Sequence, residues 1–185
     1  MASKIDLVSS ALVLIGDEPI NSLTGNSRAQ KVANSLYDNI VKNELTKHRW
    51  GFARTKAQLS LTTETPVDDE WRSIYQLPTD LLVLIKLRPN VSYQILGDKV
   101  YTNLSQALHC DYIANVSEAS WPEYFNALIK YALAKDFEPA IKDNSKRRAE
   151  LKDDYIDQGK MARFTDSQQH PQTPIVSRPF IDVRN

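Results

Sequence analysis

Apolar residues recur at intervals of three and four from the start of the chain: Ile5, Val8, Leu12 and Ile15, widened by Ala11 and Leu14. Such spacing places them on one face of a helix. Ser3 stands ahead of the stripe as an N-cap. Gly16 follows it, where a left-handed residue ends a helix cheaply. Pro19 then prevents an early restart, so a first helix is expected over about residues 4–16. A second stripe comprises Val32, Leu36, Ile40 and Leu45, backed by Ala29, Ala33 and Val41. Ser27 and Gln30 ahead of it have the spacing of a capping box. Lys47, His48 and Arg49 fall in the expected last turn, where cations favour the helix dipole. This second helix is read over about 27–49, antiparallel to the first across a loop of about ten residues.

From residue 54 the helical period gives way to β-branched and alternating residues. Six short runs read as strands: 58–61, 74–77, 81–87, 92–96, 99–102 and 108–114. Gly97-Asp98 suits a two-residue hairpin turn between the fourth and fifth. Pro66 and Asp68-Asp69-Glu70 mark a solvated loop. Helical spacing returns after Ser120-Trp121-Pro122-Glu123, which reads as a capping box with proline in the first turn. The stripe Phe125, Leu128, Ile129, Ala132, Leu133 and Phe137 gives a helix over about 121–137, with Glu138-Pro139 as its end. A last, highly charged helix is expected over about 145–164. Leu151, Tyr155 and Ala162 form its thin stripe, so it should be largely exposed in a monomer. Residues 166–185 hold Pro171, Pro174 and Pro179 and no helical period, yet keep Ile175, Val176, Phe180, Ile181 and Val183. They read as an extended arm that docks on another surface. The fold class expected is therefore α+β but mainly helical. One domain, residues 1–165, is a helix bundle with a small antiparallel β region inserted at about 54–118, and an extended C-terminal arm follows.

The apolar fraction of 42% in 185 residues suffices for a core of ordinary domain size. Lysine plus arginine number 23, and so do aspartate plus glutamate. That balance argues against a dedicated nucleic-acid binder but leaves room for a local basic face. Cys110 is the single cysteine, so no intrachain disulfide can form. No stretch approaches the roughly 20 apolar residues of a membrane span. Asp6 interrupts the N-terminal run, so no signal peptide is read and a cytoplasm-like compartment is expected.

Candidate chemistry is sparse. His48, His109 and His170 are not spaced as metal ligands, and His48 reads as a dipole-compensating surface residue. Cys110 lies in the alternating run Leu108-x-Cys110-x-Tyr112 and reads as a buried structural thiol. Asp68-Asp69 and Asp153-Asp154 are sequence neighbours, whereas a glycosidase needs carboxylates on opposite sides of a cleft. The five glycines form no phosphate-cradling loop. Lys146-Arg147-Arg148 is a short basic cluster, read first as a solvated helix start and second as a contact for an acidic partner. Trp50, Phe52, Trp71 and Trp121 read as core or interface anchors. No catalytic, cofactor-binding or metal-ligating residue is assigned, and no enzymatic activity is expected.

Four passages, taken in order, carry a family resemblance. They are Leu12-Val13-Leu14-Ile15-Gly16-Asp17-Glu18-Pro19-Ile20-Asn21-Ser22-Leu23; the helix leading into Arg49-Trp50-Gly51-Phe52-Ala53; Tyr75-Gln76-Leu77-Pro78-Thr79-Asp80-Leu81-Leu82; and Trp121-Pro122-Glu123-Tyr124-Phe125 leading through Asp136-Phe137. Together they span residue 5 to about 165, and the chain resembles the head-to-tail adaptors of short-tailed bacteriophages, in particular the tail tubular protein A group. The resemblance implies a structural subunit of a dodecameric ring in the neck or tail of the virion, assembled in the host cytoplasm. Such a ring sits below the portal protein, continues the DNA channel, and gives the tail nozzle or fibres a docking surface. Double-stranded DNA passes through without specific binding, and neither cofactor nor membrane is implied. On this reading Trp50, Phe52, Trp121 and Phe125 are structural anchors. Lys146, Arg147, Arg148, Ile175, Val176, Phe180 and Ile181 meet partners. The competing readings are a small cell-wall hydrolase, which would need an acid and a base converging in a cleft, and a helical nucleic-acid-binding protein, which would need a basic recognition helix.

Overall fold

A computed structural model describes residues 2–67 and 69–169. The expected contacts of Ile175, Val176, Phe180 and Ile181, and most of the arm, lie outside those residues.

Helix α1 spans Lys4–Leu14, and the expected cap at Ser3 forms a full capping box with Asp6. The helix ends in a Schellman motif. Gly16 takes φ 72°, its N–H bonds the Val13 carbonyl at 3.0 Å, and the Asp17 N–H reaches the Leu12 carbonyl at 2.9 Å. The loop then folds back on the helix: the Ser9 hydroxyl donates to the Ile20 carbonyl at 2.7 Å and accepts from the Ile20 N–H at 3.2 Å. Helix α2 spans Arg28–Thr46 and opens with the Ser27–Gln30 box. It stops three residues short of the expected end, so His48 and Arg49 lie beyond it.

Helix α3 spans Glu123–Ile141 and differs from expectation at both ends. Ser120 belongs to a short 3-10 turn, Glu118–Ser120, and the N-cap is Pro122 with no side-chain cap. The indole of Trp121 donates to the Val116 carbonyl at 3.0 Å and fixes that entry instead. Pro139 lies inside the helix rather than ending it. Proline removes the backbone bond its own nitrogen would donate and crowds the carbonyl four residues earlier, yet the helix carries on for two residues beyond it. The next turn still closes, with the Lys142 N–H on the Glu138 carbonyl at 2.9 Å, before Asp143 turns the chain at φ 55°. Helix α4 spans Ser145–Gln168, four residues beyond the expected end, so the first residues assigned to the arm are helical.

α1 and α2 touch through Lys4, whose Nζ meets Asp38 at 2.8 Å, but both pack chiefly on a third helix. α3 is central, and α1, α2 and α4 each pack against it. Its apolar residues therefore surround it, and Phe125, Leu128, Ile129, Leu133 and Phe137 are all buried. α4 is largely exposed, as its composition suggests, and turns only a thin stripe of Leu151, Gly159, Ala162 and Asp166 inward.

The six strands are β1 Arg54–Leu61, β2 Ser73–Gln76, β3 Leu81–Arg88, β4 Tyr93–Leu96, β5 Lys99–Thr102 and β6 Leu108–Ala114. They form one antiparallel sheet in the order β3-β6-β1-β2-β5-β4, curled as a half-barrel. Gly97, at φ 63°, makes the β4–β5 turn. Among the described residues helix accounts for 47% and strand for 21%. The expectation of a mainly helical bundle with a minor β insertion is thus overturned: the fold is α+β, and the sheet has a core of its own. Leu59, Tyr75, Leu87, Val100, Leu108, Cys110 and Tyr112 bury together on one face. The opposite face meets the helices at the β3–β6 end, where Ile113 joins the helical core and Leu82, Val83 and Ile85 pack against it.

Candidate functional site

The Arg49–Ala53 passage is the junction between the helices and the sheet. Trp50 is 1% exposed. Its ring stands edge-on to Phe125 at 5.0 Å between centroids and to His48 at 4.8 Å, and Phe52 lies 4.8 Å from Phe125. Trp121 meets Phe125 from another side at 5.1 Å. Four residues named as anchors thus form one aromatic cluster around Phe125. Trp50 Nε1 also donates to the Glu44 carbonyl at 2.9 Å, which occupies an acceptor at the end of α2.

Asp166, near the end of α4, grips this junction. The Gly51 N–H donates to its two oxygens at 3.0 and 3.2 Å. The Tyr124 hydroxyl donates at 2.7 Å, and His48 Nε2 lies 3.3 Å from Oδ2. Burial, followed by the bond to Asp166 and its charge, pushes the Tyr124 hydroxyl well above its ordinary range. A carboxylate, an imidazole and a phenol brought together resemble acid–base machinery. Here the carboxylate is spent on three partners and is buried, which makes it a clasp between elements. His48 is therefore part of that clasp rather than the helix-end surface cation expected.

A second clasp ties α2 to α4. The Tyr155 hydroxyl donates to the buried Glu44 carboxylate at 2.9 Å, and Lys47 Nζ reaches Glu44 at 2.6 Å and the Tyr155 oxygen at 2.8 Å. Tyr37 likewise donates to Glu118 at 3.0 Å across the molecule. Neither Asp166 nor Glu44 carries a local sequence signal, because their partners lie up to 115 and 111 residues away.

The basic cluster divides. Arg147 is half-buried, donating to the Leu14 carbonyl at 2.8 Å and to Glu150 at 3.0 Å, so it fastens α4 to the end of α1. Lys146 and Arg148 are exposed. Arg148 joins Lys135, Lys152 and Tyr155 along a cleft between α3 and α4.

Large apolar side chains are exposed singly at Val13, Leu61 and Val67, and in groups on α4 and on β4. On α4, at about 3.6 residues per turn, Phe164 projects opposite Leu151, Gly159, Ala162 and Asp166, Met161 stands beside it, and Ile156 lies on the flank that lines the cleft with α3. Met161 and Phe164 are 63% and 61% exposed. At the sheet edge farthest from the helices, β4 exposes Tyr93, Ile95 and Leu96 and has one free side.

A third surface is charged. Asp111 on β6 is 1% exposed and accepts from Arg54 of β1 and Arg88 of β3, each at 3.0 Å. Burial raises its carboxyl, but the bonds from Arg54 and Arg88 and the charges of Arg88 and Lys56 outweigh that and hold it below the ordinary range. Cys110 beside it points to the other face, where burial pushes its thiol up.

Among the described residues no group of three or more histidine, cysteine, aspartate or glutamate side chains is placed to hold a metal, and no helix is long and apolar enough to cross a membrane. No known family model matches the chain, and no curated protein sequence matches it.

Proposed function

We propose that the chain is a structural subunit of a virion, a member of the ring that joins the portal to the tail of a short-tailed phage. The observation that carries this reading is the pair of unlike apolar surfaces, one on α4 and one on the β4 edge. A closed ring of identical subunits uses heterologous contacts, in which one patch of each copy meets a different patch of the next. Two patches on separate elements, far apart in one chain, are the arrangement such a contact needs. The four ordered passages support the same reading, and three of them end in devices that lock elements together. Gly16 and Ser9 fix the first loop. Asp166 holds Gly51 in the second. In the third, Asp80 accepts from Tyr112 at 3.0 Å.

Light scattering and electron micrographs of the full chain, alone and with its portal protein, test the proposal. A ring of about twelve chains is expected. Charge introduced on the α4 patch, as Met161→Asp with Phe164→Asp, should abolish the ring and leave the melting temperature unchanged, because both side chains are already in water. A chain that stays monomeric at every concentration and beside the portal protein sinks the proposal.

A further inference from the structure

We propose that the face of the sheet built by β1, β6 and β3 binds the phosphate backbone of double-stranded DNA through Arg54, Lys56, Lys86 and Arg88. The register puts these residues together. Lys56 and Lys86 both pair with Asp111, Arg54 pairs with Ile113, and Arg88 pairs with His109. Directly paired residues in antiparallel strands share a face. All four cations and His109 are exposed on it. The three strands together contain no acidic residue except Asp111, and that carboxylate is buried beneath the arginines. Four positive charges against one negative leave a local excess of three in a chain whose total is zero.

Geometry selects the partner. The cations form two rows, one on β1 and one on β3, with β6 between them. Two strand spacings separate the rows by about 10 Å. That lies within the width of duplex grooves, about 6 to 12 Å, so the rows can meet phosphates on both sides of one groove. Asp111 engages one nitrogen of each guanidinium, of five donors apiece, while the two side chains stay 38% and 50% exposed. No aromatic side chain other than His109 shares this surface on the three strands, so it lacks the stacking platforms that single-stranded nucleic acid uses. Backbone contacts without base readout give binding that depends on salt and not on sequence.

The inference stands on the sheet's own charges and does not require the ring. The assay is fluorescence anisotropy of a short labelled DNA duplex titrated with the full chain between about 50 and about 200 mM salt. Four contacts predict a slope of about −3.6 in log K against log salt, a loss of about 150-fold over that range. Lys56→Gln with Lys86→Gln removes two contacts and should reduce the slope to about −1.8. Both lysines are exposed, so the melting temperature should hold. Lys146→Gln with Arg148→Gln, in the other basic cluster, should leave the slope unchanged. The proposal is overturned if the duplex does not bind at the lowest salt. It is also overturned if the α4 variant rather than the sheet variant loses binding, or if polyglutamate displaces the duplex at a lower charge concentration than unlabelled duplex does. That last result would make an acidic protein the partner. Ring formation by the sheet variant separates the two readings, since it would leave the adaptor proposal standing whatever becomes of the DNA contact.

Discussion

Replacing Trp50 by alanine should cost the protein about a third of its stability or more. The side chain is 1% exposed, and burying an indole removes about 150–250 Å² from water, worth roughly 4–6 kcal/mol as an upper estimate. Large-to-small aromatic substitutions in cores cost about 3–5 kcal/mol, in agreement. Loss of the indole N–H also removes the shorter of two bonds to the Glu44 carbonyl, the Lys47 N–H at 3.3 Å remaining, for about 1 kcal/mol. Taking about 4 kcal/mol, and about 2–4 °C per kcal/mol for a chain of this size, the melting temperature should fall by about 8–16 °C. Trp50→Phe keeps most of the ring but not the N–H, and should fall by less than half as much. Trp71→Ala is the control. Trp71 is only half-buried, and its indole bonds Gln94 at an exposed site, so its loss should shift melting by no more than about 2–4 °C. Thermal unfolding followed by circular dichroism measures all three. Equal shifts for the two tryptophans, or a Trp50→Phe as damaging as Trp50→Ala, would refute the account of Trp50 as the centre of the junction.

Three further outcomes follow from the buried polar groups. Asp111 has a depressed carboxyl in the folded state, so its contribution is present above the unfolded value of about 3.9 and disappears as pH falls through the folded one. The gap in melting temperature between the protein and Asp111→Asn should be constant from pH 8 to about 5 and close only below about 4; a gap that closes near neutrality contradicts the arginine pairing. Of the eight tyrosines, Tyr37, Tyr75, Tyr112 and Tyr124 are raised, Tyr112 to about 12. Ultraviolet titration should therefore show phenol ionisation extending above the ordinary tyrosine value of about 10, with Tyr112 near 12, and complete ionisation in a single transition near 10 would count against these contacts. The Cys110 thiol, buried and pushed up, should resist an aromatic disulfide reagent in the folded protein and react when urea unfolds it; rapid labelling in the native state would disprove its burial.

Local signals in the sequence located most elements. Ser3 with Asp6 and Ser27 with Gln30 are three residues apart, so the helix starts could be read directly, and β4–β5 was legible from Gly97. Each of the six strand runs falls on a strand, with Leu77 and Ser92 just outside β2 and β4, though β1 begins four residues earlier than its alternation suggested, because Arg54 and Lys56 share a face with Asp111 and look out of place in an apolar pattern. The extent of the sheet was not legible. Four-residue strands such as β2, β4 and β5 are weak signals alone, and their cooperative pairing and separate core exist only in three dimensions. Pro139 misled because one missing hydrogen bond was weighed against the helix without Ile141 packing on the core beyond it. Trp50, Phe52, Trp121 and Phe125 stood out as large aromatics at changes of period. The carboxylates that fix them did not: Asp166 and Glu44 look like ordinary charges on charged helices until the fold supplies distant donors.

The grip of Asp166 also governs how the molecule answers to a pull. The residue lies in the last turn of α4, a few positions before the end of the described chain at Gln169. Tension applied there does not travel back along α4, peeling it away turn by turn. It should pass sideways, through the Gly51 N–H and the Tyr124 hydroxyl, into the 3-10 turn Gly51–Ala53 just ahead of β1 and into the central helix together. The bonds at that point are then stretched in parallel rather than broken in sequence, so the C-terminal end of α4 behaves as a mooring point rather than a fraying one.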